Sequence, residues 1–176
     1  MTITGSAPER KDIIRHTTDG QILITSYDLL KRDVEYYKNI VFAVQVIDEA
    51  QYIKNAGTQA AKGVKKITAA FKLALTGTPI ENRLSELWSI FDYLMPGFLY
   101  TYQKFREEIE TPIVVNKDEN KMERLQRMIR PFILRRLKGD VLKDLPEKLE
   151  ENVYAKMEGE QLALYDAHVQ QMKQML

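Results

Sequence analysis

The run Ile40-Val41-Phe42-Ala43-Val44-Gln45-Val46-Ile47, followed without a spacer by Asp48-Glu49-Ala50-Gln51, constrains the fold more than any other segment. Seven of its eight residues are apolar, with only Gln45 interrupting. A run so rich in Val and Ile fits a strand covered on both faces, as in a parallel sheet. Ile22-Leu23-Ile24 reads as an earlier strand, ended by Thr25-Ser26-Tyr27. Phe71-Lys72-Leu73-Ala74-Leu75 reads as a later one, stopped by Thr76-Gly77-Thr78-Pro79. The intervening segments are long enough for the crossovers that parallel pairing demands. In one of them Thr58 can cap a helix that places Ala60, Ala61, Val64 and Ile67 on one face. The expected class is α/β, a parallel sheet with flanking helices.

Beyond the third strand the pattern changes. Leu84, Leu87, Trp88, Phe91, Leu94 and Met95 keep helical spacing, and Pro96-Gly97 closes that helix. Trp88 and Phe91 follow core periodicity and are expected to pack rather than to stack on bases. Residues 100–145 carry helical patterns only, acidic over 107–123 and basic over 121–143, where Arg124, Arg127, Arg135 and Arg136 lie. Val153, Ala155 and Met157 alternate with polar neighbours as a strand would. From Glu160 a last helix sets Leu162, Val169, Met172 and Leu176 on one face.

Composition narrows the chemistry. With 26 Lys+Arg against 25 Asp+Glu the formal charge is +1, so nucleic-acid contact has to come from a local patch. The absence of cysteine excludes disulfides, thiolate metal sites and cysteine nucleophiles. His16 and His168 have no partners at ligand spacing and are expected at the surface. No apolar run approaches the roughly 20 residues that span a bilayer, and no charged-then-apolar leader opens the chain. No membrane partner is expected, and the expected location is the cytoplasm, beside the nucleoid in a bacterium.

Two adjacent carboxylates at the C-terminal end of a buried parallel strand stand where open α/β sheets bind ligands. A nucleoside triphosphatase needs one acid there for magnesium, usually through water, and a second to orient or deprotonate the attacking water. Asp48 suits the first role and Glu49 the second. The competing reading is a solvated turn. Thr76-Gly77-Thr78 lies at another strand exit, where two hydroxyls beside a glycine can sense a phosphate or carboxylate while the backbone turns sharply. Asn82 can cap the helix that follows. Its competing reading is a plain Gly-Pro turn.

Taken in order, these segments resemble the first motor lobe of the SWI/SNF-type helicase-like ATPases, within the broader DEAD/DEAH-box-like translocases. Ile22 to Leu30 is similar to motif Ib, and Val46 to Asn55 to the Walker B box in its DEAQ form. Leu75 to Asn82 is similar to motif III and is followed by Leu87-Trp88-Ser89. The block Arg130-Pro131-Phe132-Ile133-Leu134-Arg135-Arg136-Leu137-Lys138, running into Asp140-Val141 and Leu145-Pro146-Glu147-Lys148, separates this family from ordinary DEAD-box proteins. The resemblance implies a RecA-like P-loop NTPase lobe with a helical insertion. By position it assigns magnesium to Asp48 through water and water activation to Glu49. It assigns coupling of nucleotide state to lobe movement to Gln51, Thr76, Gly77 and Thr78. It places Thr25 and Ser26 near the phosphates of the tracked strand. Arg135 and Arg136, adjacent in the family block and within the basic stretch, are candidate DNA contacts, the competing reading being a solvated face paired with the acidic stretches at 107–123 and 144–160. Gln51 departs from the histidine of many relatives, but a neutral amide still bridges hydrogen bonds.

The family's phosphate-cradling loop, G-x-x-x-x-G-K-[ST], needs glycines five apart, and none of the eight here are. The expectation is therefore an internal portion of a motor. Residues 1–96 would be the later part of lobe one, 97–145 a helical insertion, and 146–176 a strand and helix bridging to an absent second lobe. The complete motor would use ATP and Mg2+ to move on double-stranded DNA. This chain alone is expected to bind neither tightly, to be inactive, and to self-associate through an exposed sheet edge. The alternative is a non-catalytic protein- or DNA-interaction module derived from such a motor.

Overall fold

A computed structural model describes residues 1–77, 83–136 and 150–175. The chain forms two compact units, Met1–Ile133 and Leu134–Leu176.

The first unit opens with helix α1 (Ala7–Arg15), where Pro8 occupies the first turn and the Ser6 amide donates to the Glu9 carboxylate at 2.7 Å. Helix α2 (Tyr27–Asp33) is capped by Ser26, whose Oγ accepts from the Leu29 amide. The two helices are pinned together by a buried ion pair. The Arg10 guanidinium donates to both Asp33 oxygens at 2.6 and 2.8 Å, and to the Gly5 carbonyl at 2.8 Å. His16, exposed as expected, does have a carboxylate neighbour: Asp12, one helical turn back at 3.2 Å.

Strands β1 (Val41–Ile47) and β2 (Thr68–Ala74) pair in parallel, in register from Val41↔Thr68 to Ile47↔Ala74. The crossover between them holds a 3₁₀ turn (Ala50–Ile53) and helix α3 (Gln59–Lys65). Thr58 caps α3 as expected, accepting from the Ala61 amide at 3.2 Å. Ala61 and Val64 are buried beneath the sheet, and so is Ile67, just past the end of the helix.

Three strand expectations change. Segment 22–24 forms only an isolated parallel bridge, Thr2↔Ile24, because residues 1–3 are its sole partner among the described residues. The strand expected over 71–75 begins earlier, at Thr68, since its small polar and alanine residues still find ladder partners on β1. And β1 is not covered on both faces. Helices α3 and α4 (Leu84–Leu94) lie against the face bearing Gln45 and Ile47: the Gln45 amide donates to the Val64 carbonyl, and the Lys72 ammonium sits 5.0 Å from the Tyr93 ring centre. The opposite face carries the register pairs Val44↔Phe71 and Val46↔Leu73, all four exposed, Val44 at 49% and Phe71 at 58%. Among the described residues it is covered only near its start, where Phe42 leans on Tyr37 with ring centres 6.2 Å apart.

Helix α4 contributes to two cores. Tyr93 joins Ile3, Ile14, Leu30, Ile47, Ile53 and Val64 in the sheet core. Leu87, Trp88 and Phe91 join Leu99, Phe105, Ile109, Ile113 and Leu125 in a helical core, so the packing role read for Trp88 and Phe91 holds. That second core is built from α5 (Tyr102–Phe105), a π-helical turn (Arg106–Glu110), α6 (Thr111–Val114) and α7 (Glu119–Ile129). The π turn has a local cause. Pro112 has no amide hydrogen and its ring crowds the carbonyl four residues back, so the helix widens there instead of breaking. The Thr111 amide accordingly donates to Arg106, five residues back.

In the second unit, α8 (Glu160–Met175) is the helix expected from Glu160, with Leu162 and Met172 exposed. Residues 150–158 form no strand. Val153 is 85% exposed there and finds no pairing partner among the described residues. Leu176, together with Leu137, Lys138, Asp140, Val141 and Leu145 to Lys148, lies outside the described residues.

Candidate functional site

Asp48 and Glu49 follow Ile47, the last residue of β1, and both are exposed at the C-terminal end of the parallel pair. The ladder runs on past them. Leu75 donates to the Ile47 carbonyl and Ala50 donates back to the Leu75 carbonyl, each at 2.8 Å. This pins the turn on both sides of the acid pair. Within it the backbone leaves the sheet sharply: Glu49 adopts left-handed angles, φ 50° and ψ 54°. For a residue with a Cβ that conformation costs about 1–2 kcal/mol, so the surrounding bonds have to hold it.

Four such bonds are present. Asp48 Oδ1 accepts from the Glu49 amide at 2.8 Å. The Tyr27 hydroxyl, from the first turn of α2, donates to the Asp48 carbonyl at 2.7 Å. Glu49 Oε2 accepts from the Gln51 amide nitrogen at 2.5 Å, and Gln51 Oε1 accepts from the Thr76 hydroxyl at 2.9 Å. The last two form a chain from the acid through a neutral amide to the exit of β2. The Tyr27 ring also stacks on the exposed Tyr52 ring, centres 5.3 Å apart and planes 21° apart. Burial, with the Asp48 and Glu49 charges adding to it, pushes the Tyr27 phenol from its ordinary 10.0 up to about 12. The turn is anchored at its far end by Ser89, fully buried on α4, whose hydroxyl donates to the Ile53 carbonyl at 2.6 Å.

The residues singled out in the sequence are partly assembled here. Asp48, Glu49, Gln51 and Thr76 come together, and Gly77 stands beside Thr76 in open space. Thr78, Pro79, Ile80, Glu81 and Asn82 lie outside the described residues. Ser26 spends its hydroxyl on the α2 cap, while the Thr25 hydroxyl is buried beside the Tyr37 phenol. Arg135 and Arg136 are exposed and belong to the second unit. Sequence reasoning missed Tyr27, Tyr52 and Ser89. Nothing local ties Tyr27 to Asp48, 21 residues away. A serine set between Trp88 and Ile90 on an apolar helix was the one available signal for Ser89.

The donor set bears on metal binding. Among the described residues no group of three or more His, Cys, Asp or Glu could hold an ion unaided. Asp48 offers one carboxylate, with one oxygen on the Glu49 amide and the side chain open to solvent. A single carboxylate suits magnesium that arrives with phosphate oxygens and keeps most of its waters. Among the described residues no helix is long and apolar enough to cross a membrane.

Comparison with known proteins is consistent across sequence and structure. The SNF2-related domain matches residues 2–176. The chain is 37% identical over 174 residues to TATA-binding protein-associated factor 172 of Homo sapiens, covering 93% of this chain and 9% of that protein. It is 40% identical over 161 residues to the putative ATP-dependent helicase/translocase YwqA of Bacillus subtilis (strain 168), covering 90% of this chain and 18% of that one. The chain thus spans less than a fifth of either relative. The Sulfolobus solfataricus SWI2/SNF2 ATPase core, solved in complex with dsDNA, superposes with a TM-score of 0.64 at 43% identity, over 87% of this chain and 33% of that one. With nearly every residue inside the match, an α/β fold of RecA-like kind and an acid pair at the strand exit, the chain belongs to the SNF2-related domain family.

Proposed function

We propose that this chain is the acid-bearing portion of the first ATPase lobe of an SNF2-type motor that moves on double-stranded DNA. One observation carries the reading: Glu49, held left-handed at the end of β1, is linked through Gln51 to Thr76 at the end of β2. In this reading Asp48 would hold the magnesium that accompanies the nucleotide, and that ion would supply charge neutralisation at the phosphates. Glu49 orients the attacking water and takes its proton. Gln51, Thr76, Gly77 and Thr78 report the state of the nucleotide to the rest of the motor. Because Gln51 is an amide, it holds the Glu49 carboxylate without a titration of its own.

Thr25 and Ser26 mark the end of α2 that approaches the tracked strand. With the Thr25 hydroxyl turned inward, contact there falls to backbone amides and to Ser26. Arg135 and Arg136 supply further phosphate contacts. The chain alone carries no phosphate loop, and an arginine finger by itself is worth about 10³–10⁵ in rate, so we expect no measurable hydrolysis from it in isolation.

The test is reconstitution. The complete motor containing this chain, or this chain co-expressed with fragments bearing the phosphate loop and second lobe, is expected to show DNA-stimulated phosphate release. Glu49→Gln is expected to lower that rate at least ~10²-fold, the usual contribution of a positioned base. The non-catalytic alternative is favoured by one feature, the exposed Val44, Val46, Phe71 and Leu73 face. Reconstitution that yields tight partner binding and no turnover would establish that alternative in place of the motor.

A further inference from the structure

The Asp48 carbonyl is the hinge between β1 and the left-handed Glu49. Ile47 before it and Ala50 beyond Glu49 are bonded to Leu75, just past β2, whereas among the described residues the Asp48 carbonyl accepts from the Tyr27 hydroxyl. Among the described residues, Tyr27 is the one side chain from outside the two strand-exit loops that bonds into residues 48–51. It is also the first residue of α2, directly after the Ser26 cap. Residues 24–26 are in turn tied to the chain start through Ile24, which bonds to Met1 and Ile3 at 2.8 Å each. A shift of the α2 start therefore moves the phenol, and with it the carbonyl on which Glu49 pivots. The stack on Tyr52 makes the link two-sided, gripping the turn before and after Glu49.

We propose that Tyr27 is a positioning residue that transmits binding of a phosphodiester strand at the Thr25–Ser26 end of α2 to the Asp48–Glu49 acid pair. The inference rests on the motor reading above and adds to it the route by which DNA stimulates hydrolysis. Tyr27 needs no contact with nucleotide or DNA; it acts by fixing where the Asp48 carbonyl, and hence the Glu49 carboxylate, can sit.

The test is Tyr27→Phe in the complete motor that contains this chain, a change that keeps the ring and its stack while removing the hydroxyl. The ratio of turnover with duplex DNA to turnover without it is expected to fall about tenfold, the scale of one lost hydrogen bond, with the KM for ATP essentially unmoved. An unchanged ratio, or equal losses with and without DNA, overturns the proposal. Glu49→Gln is the control for the underlying reading: if it leaves turnover intact, the motor reading fails on its own. The relay is then decided on the 176-residue chain by amide hydrogen exchange at Glu49 to Ile53, with and without a duplex oligonucleotide. A duplex-dependent change seen in the wild type and lost in Tyr27→Phe supports the relay. Matching responses in the two proteins, including none in either, overturn it.

Discussion

At the scale of single residues, the site depends on one unfavourable backbone conformation and the side chains that hold it. Glu49 sits left-handed because three neighbours make other geometries worse: the Ala50 amide is committed to Leu75, the Glu49 amide to Asp48, and the Asp48 carbonyl to Tyr27. Tyr27 makes this measurable through pH. Its folded phenol is raised from 10.0 to about 12, so the fold favours the neutral form. Its contribution is complete below pH 10 and is lost as pH rises toward 12, where the phenolate can no longer donate to Asp48 and faces two carboxylates. Titrating phenolate absorbance should show late-ionising tyrosines, Tyr37 and Tyr93 being raised by burial as well, and Tyr27→Phe should remove one of them. Loss of an ordinary, early-ionising tyrosine in Tyr27→Phe would contradict the half-buried, bonded phenol.

At the scale of elements, α4 joins the two cores and sits directly after the second strand-exit loop. Its first two turns are held from three directions. Glu110 accepts from the Ser85 amide at 3.1 Å, Lys54 lies 3.5 Å from Glu86, and Ser89 bonds the Ile53 carbonyl. Glu110 serves as an N-terminal cap supplied by another helix, since the residue before α4, Arg83, makes no side-chain cap of its own. Glu110→Ala should cost about 1 kcal/mol, the usual value of a cap, and lower Tm by roughly 2–4 °C for a chain of this size. Glu110→Gln keeps an acceptor oxygen and should recover most of the loss. Calorimetry on the two variants checks both statements, and equal Tm values for Ala and Gln would exclude the capping role. The periodicity of 84–95 made α4 legible, whereas its cap was not: Glu110 lies 25 residues away, at the end of the π turn, and meets Ser85 only in the folded chain.

At the scale of the whole molecule, an apolar sheet face is left open among the described residues. Val44, Val46, Phe71 and Leu73 line up through the parallel register, and contiguous exposed apolar surface of this kind promotes association. Sedimentation velocity should therefore show weight increasing with concentration. Val44→Glu with Phe71→Lys places opposite charges directly across the register and should shift the distribution toward monomer while leaving the helical signal intact. A wild type that remains monomeric throughout would refute the association. The same open face explains the failed expectation of a doubly covered β1. Composition of a strand reports how apolar its surroundings are expected to be, not which of its two faces the neighbouring elements cover.

The local code determined the parallel pair, the crossover helix capped by Thr58, the helix over 84–94 and the location of two acids at a strand end, because periodicity, caps and turn residues act within a few positions. It also determined the family, through ordered motifs spread along the chain. Tertiary structure alone decided which distant groups brace the acid turn and the helix behind it. The phenol of Tyr27, the buried hydroxyl of Ser89 and the carboxylate of Glu110 each reach partners 21 to 36 residues away. Such contacts are set by how helices pack on the sheet, and no local pattern encodes a bond whose two ends are brought together only by that packing.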